Sequence, residues 1–186
     1  MLQDDDPGWP LVGLIPFVGP VIARRRRRAG NADGLVVMRQ VFLAFCLAIA
    51  LFGYVLAFLD TGDTERPSLA MAVLVVGVAS VIGGRFVERP LDCGNEATLK
   101  TSYTNRLFIR VAFSEAAALL GFVAFFITGE RWVYYLAALI TYGGFARAAP
   151  TREHLRRDQE ILRERGCYVQ LVPALRTPPP RRGKPA

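Results

Sequence analysis

Apolar and polar positions in this chain come in long blocks rather than in the short alternations of a water-soluble core. Residues 41–59 are nineteen in a row without a charge. At about 1.5 Å per residue they make about 28 Å of helix, enough to cross the hydrocarbon layer of a bilayer. Three comparable blocks follow, and the pattern predicts helices over about 36–59, 68–87, 107–127 and 132–149. The breaks between them are polar. Residues 60–67 and 128–131 read as tight turns, and 88–106 reads as the longest loop, with both charge signs and little periodicity. Trp132, Tyr134 and Tyr135 cluster where the fourth helix would enter the head-group zone, a common place for amphipathic rings.

After Pro150 the pattern changes. Thr151 is a candidate N-cap and Gly166 a candidate stop for a charged helix over 151–165. Its apolar stripe is thin: Leu155, Ile161 and Leu162. Residues 168–175 read as a short extended segment, and the proline- and arginine-rich stretch from Thr177 reads as disordered. At the other end, 1–34 reads as a flexible basic segment, with a re-entrant or interfacial segment as the alternative. Asp4, Asp5 and Asp6 precede a broken apolar run, and Arg24, Arg25, Arg26, Arg27 and Arg28 follow it. That charge order is the reverse of a secretory signal. Met38, just before the first apolar block, is a second candidate start.

The predicted fold class is therefore all-α: an integral membrane bundle of four transmembrane helices over 35–150, with a C-terminal amphipathic helix in the cytoplasm. The two hairpins read as a duplication. A shift of 68 residues lays Phe45, Ala48, Ala50, Leu51, Gly53 and Val55 over Phe113, Ala116, Ala118, Leu119, Gly121 and Val123. A shift of 60 lays Gly83, Gly84 and Pro90 over Gly143, Gly144 and Pro150. Chance likeness within low-complexity apolar sequence is the alternative. Glycine at these points would let helices approach closely where packing depends on small residues.

Charge adds an orientation. Lysine and arginine number 23 against 16 acids, and they gather on one side of the predicted spans. Arg24 to Arg28 and Arg39 precede the uncharged run of the first helix, while Arg85, Arg89, Lys100, Arg106 and Arg110 bracket the middle loop. The positive-inside rule then puts both termini and the middle loop in the cytoplasm of a multi-pass plasma-membrane protein. Beside a bilayer, the run Arg24 to Arg28 is expected to meet anionic lipid head groups rather than nucleic acid.

Candidate chemistry is sparse. Cys46, Cys93 and Cys167 are far apart and form no C-x-x-C, and the last two should face a reducing cytoplasm, so no disulfide framework is expected. Cys93, Cys167 and His154 have no recognised metal-ligand spacing, and neither metal nor cofactor is expected. No catalytic or phosphate-binding motif is present. A membrane enzyme would have to draw on loop residues such as Asp92, Asn95 and Glu96.

One residue breaks the apolar pattern. Glu115 lies about 12 Å along the third helix from Leu107. Residues at similar depth form a candidate polar layer: Ser114 beside it, Cys46 on helix 1, Ser80 on helix 2, and Thr141 and Tyr142 on helix 4. Arg110 lies one turn below. Intramembrane carboxylates are costly and commonly functional. Three roles stay open for Glu115: a structural carboxyl paired with Tyr142, Ser80 or Arg110; a proton- or cation-handling group; or a contact with another protein's membrane helix.

Glu115 followed by Gly121, in a helix leaving a cytoplasmic loop, is locally similar to the ion-carrying helix of rotor-ring proteolipid subunits of rotary ATPases. The likeness covers under a tenth of the chain. The long middle loop, the two further helices and the basic tail depart from that family's simple hairpin, and no function is carried over. The expected role is a non-enzymatic membrane protein that assembles with itself or a partner through its helices and tail. A small transporter or proton conductor using Glu115 is the alternative.

Overall fold

The structure is a computed structural model that describes residues 6, 8–9, 33–59, 67–88 and 90–177. Six helices are present among these residues and no strand: α1 Gly34–Leu56, α2 Pro67–Gly83, α3 Glu96–Thr128, α4 Arg131–Ala148, α5 Arg152–Glu164 and α6 Leu171–Arg176. α1 and α3 are long and apolar enough to cross a membrane, and α2 is a shorter apolar helix.

Local chemistry explains several helix ends. The Asp33 carboxylate caps α1, accepting from the Leu35 N–H at 3.0 Å. α2 starts with proline, whose missing N–H costs nothing in a first turn. At the start of α3 the cap is reciprocal: Thr98 N–H donates to Asn95 Oδ1 at 2.9 Å, and Asn95 N–H donates to Thr98 Oγ1 at 3.0 Å. Gly129, at φ 77°, makes the left-handed turn between α3 and α4. Thr151 caps α5 by accepting from His154 N–H at 3.2 Å, and Gly166, at φ 78°, stops it.

Three boundaries differ from the sequence expectation. α2 ends at Gly83, not at 87, and turns follow. α3 begins at Glu96, so residues 96–106 are helix rather than loop. Leu99, Tyr103 and Leu107 recur every fourth position there and are all buried, although polar neighbours break up the apolar run. Residues 171–176 are helical rather than extended.

The chain divides into two compact units. The terminal unit takes the described residues of 1–43, 91–102 and 150–186. Its core is Leu35, Phe42, Leu91 and Leu99 with Leu155, Leu162, Leu171 and Leu175 from the C-terminal helices. Gln159 is buried beside them, and its side chain accepts from Leu171 N–H at 2.6 Å and donates to Val169 C=O at 3.3 Å. An ion pair between Arg176 and Asp33 at 2.8 Å ties α6 to the start of α1. Lys100 Nζ donates to the Thr177 carbonyl. Burial holds the Lys100 ammonium below its ordinary pKa, against the opposing pull of the Asp33 charge.

The helical unit is 44–90 and 103–149. Its interior is built largely from small side chains. Ala70, Ala124 and Val133 pack together with Val73 against them. A Cβ on Gly121 would lie 2.4 Å from the Ala137 Cβ, and one on Gly77 would lie 3.0 Å from the Ala117 Cβ. Such contacts let backbones approach in the way membrane helices favour. Large apolar side chains point outward from all four helices, among them Leu51, Val75, Val123 and Leu139.

The repeated Gly-Gly pairs divide their work alike. Gly84 and Gly144 both press on α3, at Phe113 and Ser114, while Gly83 and Gly143 both face open space. Both inner glycines meet the same helix, so here the packing does not follow a two-fold relation between the hairpins.

Candidate functional site

The polar layer lies in the helical unit, around the stretch of α3 that carries Glu115. Thr141 of α4 docks its hydroxyl on the α3 backbone. It accepts from Ala118 N–H at 3.0 Å and donates to the Ser114 carbonyl at 2.9 Å, so it touches both groups of one turn of the uninterrupted helix. One residue away, Ser80 of α2 donates to the Phe113 carbonyl at 2.8 Å. Ser114 turns back on its own helix and donates to the Arg110 carbonyl at 2.8 Å. Hydroxyls from two neighbouring helices thus engage α3 on either side of residue 115.

Glu115 itself is half-buried. Among the described residues, no hydrogen bond or ion pair reaches its carboxylate. It lies seven residues, nearly two turns, before Phe122, which packs on Phe52 of α1 with ring centroids 5.1 Å apart. That places Glu115 on the face of α3 that carries Phe122, whose ring meets both Phe52 of α1 and Tyr134 of α4.

The partners expected for Glu115 are engaged elsewhere. Tyr142 donates to the Cys46 carbonyl at 2.9 Å. It belongs to a seam of three α4 tyrosines on α1 carbonyls, with Tyr134 to Ile49 at 2.6 Å and Tyr135 to Gly53 at 3.2 Å. Arg110 turns away to Glu88, with contacts of 2.7 Å from both Nε and Nη2, and Arg106 Nε joins the same carboxylate at 3.0 Å. Burial pushes the Glu88 carboxyl up, but the hydrogen bonds and charges of Arg110 and Arg106 outweigh it and hold its pKa below the usual value. The layer is therefore assembled at Ser80, Ser114 and Thr141, while Arg110 and Tyr142 serve other acceptors.

Sequence reasoning missed the most enclosed charge. Arg39 is 0% exposed, in the terminal unit. It meets the Asp6 carboxylate through Nη1 at 2.5 Å and Nη2 at 2.8 Å, the Gly8 carbonyl at 2.8 Å and the Pro150 carbonyl at 3.0 Å. Its guanidinium carbon lies 5.2 Å from the Trp9 ring centroid. Arg152 adds a second cation to Asp6 at 3.2 Å. Asp6, Gly8 and Trp9 thus have fixed partners, where the sequence suggested a flexible tail. Arg24 to Arg28 lie outside the described residues. The available signal was Arg39 itself, four residues after Leu35 and three before Phe42, a charge on an apolar face.

The cysteine expectation is overturned as well. Cys93 and Cys167 are joined in a disulfide, with Cα atoms 5.9 Å apart and a sequence separation of 74. Their separation gave no hint, because the turn after α5 folds back beside the segment that precedes α3. Cys46 is a free thiol. Among the described residues no three metal-binding side chains gather at one point. In comparisons with known proteins, the chain matches no family model, no curated protein and no solved structure.

Proposed function

We propose that this chain is a non-enzymatic integral membrane protein of four spans that assembles through its helices, with itself or with a protein partner. In this reading α1 to α4 cross the plasma membrane, and both termini and the middle loop lie in the cytoplasm. The outward apolar side chains on every one of the four helices support the spans. The basic excess on one side supports the orientation. The observation that carries assembly is Glu115. Its carboxylate sits within a span with no partner among the described residues of its own chain, and such groups are met by other polar groups or by a water-filled path.

The expected tail contact becomes narrower. Leu155 and Leu162 are spent inside the terminal unit, so α5 has only a charged outer face, including Arg156, Arg157 and Glu160, to offer a cytoplasmic partner. Arg24 to Arg28 remain the group proposed for anionic lipid.

The same bare carboxylate supports the second reading, a small transporter or proton conductor with Glu115 as its titrating group. Glu115→Gln separates the two. The chain would be purified from membranes in mild detergent and its mass measured, with proton flux followed in liposomes. Assembly predicts a defined oligomer or a stoichiometric partner for the wild type, and weakened association for the variant. Conduction predicts flux lost with the assembly unchanged. A wild-type chain that is monomeric, alone and silent in liposomes would defeat both.

A further inference from the structure

We infer that Cys93 and Cys167 form a reversible, redox-controlled staple across the terminal unit. The inference rests on the orientation proposed above, which sets this unit in a reducing compartment. Disulfides there are transient rather than permanent. Yet the fold brings the two sulfurs into bonding contact across 74 residues of sequence. Cys93 is half-buried and Cys167 is buried at 7%. Cys93 is thus the sulfur that a small reagent reaches first.

The unit does not depend on the bond alone. Leu171 and Leu175 are fully buried, Gln159 holds residues 169 and 171, and Arg176 pairs with Asp33. These contacts keep the thiols adjacent when reduced, so the bond can close and open without a search. Closure proceeds by thiol–disulfide exchange. The Cys93 thiolate attacks one sulfur of a low-molecular-weight disulfide and releases one small thiol. The Cys167 thiolate then attacks the Cys93 sulfur of the mixed disulfide and releases the second. The protein gives up two electrons and two protons, and the small disulfide takes them up as two thiols. The closed bond fastens the segment before α3 to the turn after α5, which limits fraying of the C-terminal helices.

The test uses the full-length chain in its native membrane. Cells are treated with a permeant maleimide, or with a charged maleimide that cannot cross the membrane, before and after exposure to hydroxyethyl disulfide. Modified and linked peptides are then read by mass spectrometry. The expected result is that unstressed cells show both thiols open to the permeant reagent only. After oxidation both are protected and a Cys93–Cys167 linked peptide appears. In isolated membranes, trypsin should cut at Arg163 or Arg165 at least about tenfold faster in the reduced form.

Labelling by the charged reagent in intact cells would overturn the orientation, and the staple with it. A linked peptide already stoichiometric in unstressed cells would leave the orientation standing but make the bond permanent, which overturns the staple. So would an oxidant that leaves both thiols free, or equal cleavage rates.

Discussion

Arg39 is a guanidinium taken fully out of water, and Asp6 is the group that makes this tolerable. Removing one partner of a buried ion pair leaves an uncompensated charge and costs about 3–5 kcal/mol. Asp6→Ala should therefore lower thermal stability sharply in detergent. Replacing both partners, Asp6→Ala with Arg39→Met, should cost less than the single change, because apolar packing can substitute for a buried pair. A double variant no better than the single one would count against the pair as the source.

The same pair has a pH signature. Burial pushes the Asp6 carboxyl up, but Arg39, the Gly8 N–H and Arg152 outweigh it, and its pKa falls below the ordinary 3.8. A group whose pKa is lowered by folding adds stability in full above its unfolded value, and that stability is lost as pH falls through the lowered one. Terminal-unit stability should thus be flat near neutral pH and should decline below about pH 4. Thermal unfolding followed across that range would show it, and Asp6→Ala should flatten the decline.

At the scale of an element, α3 is held by hydroxyls of neighbouring helices that bond to its backbone. Thr141→Val keeps the shape of the side chain but removes the hydroxyl that joins Ala118 N–H to the Ser114 carbonyl. The methyl that replaces it offers those two buried groups no hydrogen bond, at about 1–3 kcal/mol. Thr141→Ala removes the same hydroxyl and a buried methyl besides, so it should cost at least as much. Unfolding in detergent should rank wild type, Val, Ala in that order.

Glycines on the neighbouring helices give a second contrast. Gly121→Leu drives a side chain into Ala137 and should cost at least about 1–3 kcal/mol. Gly143→Ala enters open space and should be neutral or add up to about 1 kcal/mol through helix propensity. Equal effects from the two would mean that α3 and α4 are not in close contact.

These contrasts show what the sequence makes legible. A block of nineteen uncharged residues leaves few alternatives to a helix, so the apolar parts of α1 and α3 could be read directly. The first eleven residues of α3 could not be read by run length, since Leu99 and Tyr103 are scattered among Thr, Ser, Lys and Asn. The polar layer was found by counting depth along each helix, but its wiring was not. A hydroxyl in a sequence looks for a side-chain partner, whereas Ser80, Thr141 and Tyr142 all chose backbone carbonyls, which every residue carries. The Arg39–Asp6 pair and the Cys93–Cys167 bond were hidden for a different reason. They depend on the chain returning to its own beginning, and no local pattern records that.

For the molecule as a whole, the terminal unit is a late assembly. Asp6 and Arg39 are complete only with the Pro150 carbonyl and Arg152, and Leu35 and Leu99 share a core with Leu171 and Leu175. During synthesis, the carbonyl that receives Arg39 leaves the ribosome 111 positions after it. In the proposed membrane reading the apolar helices enter the bilayer as they emerge, while Arg39, already facing Asp6, waits for the Pro150 carbonyl and Leu35 waits uncovered. On that reading the terminal unit closes only once the C-terminal helices have been made. A version stopped after Pro150 should insert normally in a pulse-chase experiment and then be cleared faster than the full chain. Equal lifetimes would mean that the apolar helices alone satisfy the cell's quality control.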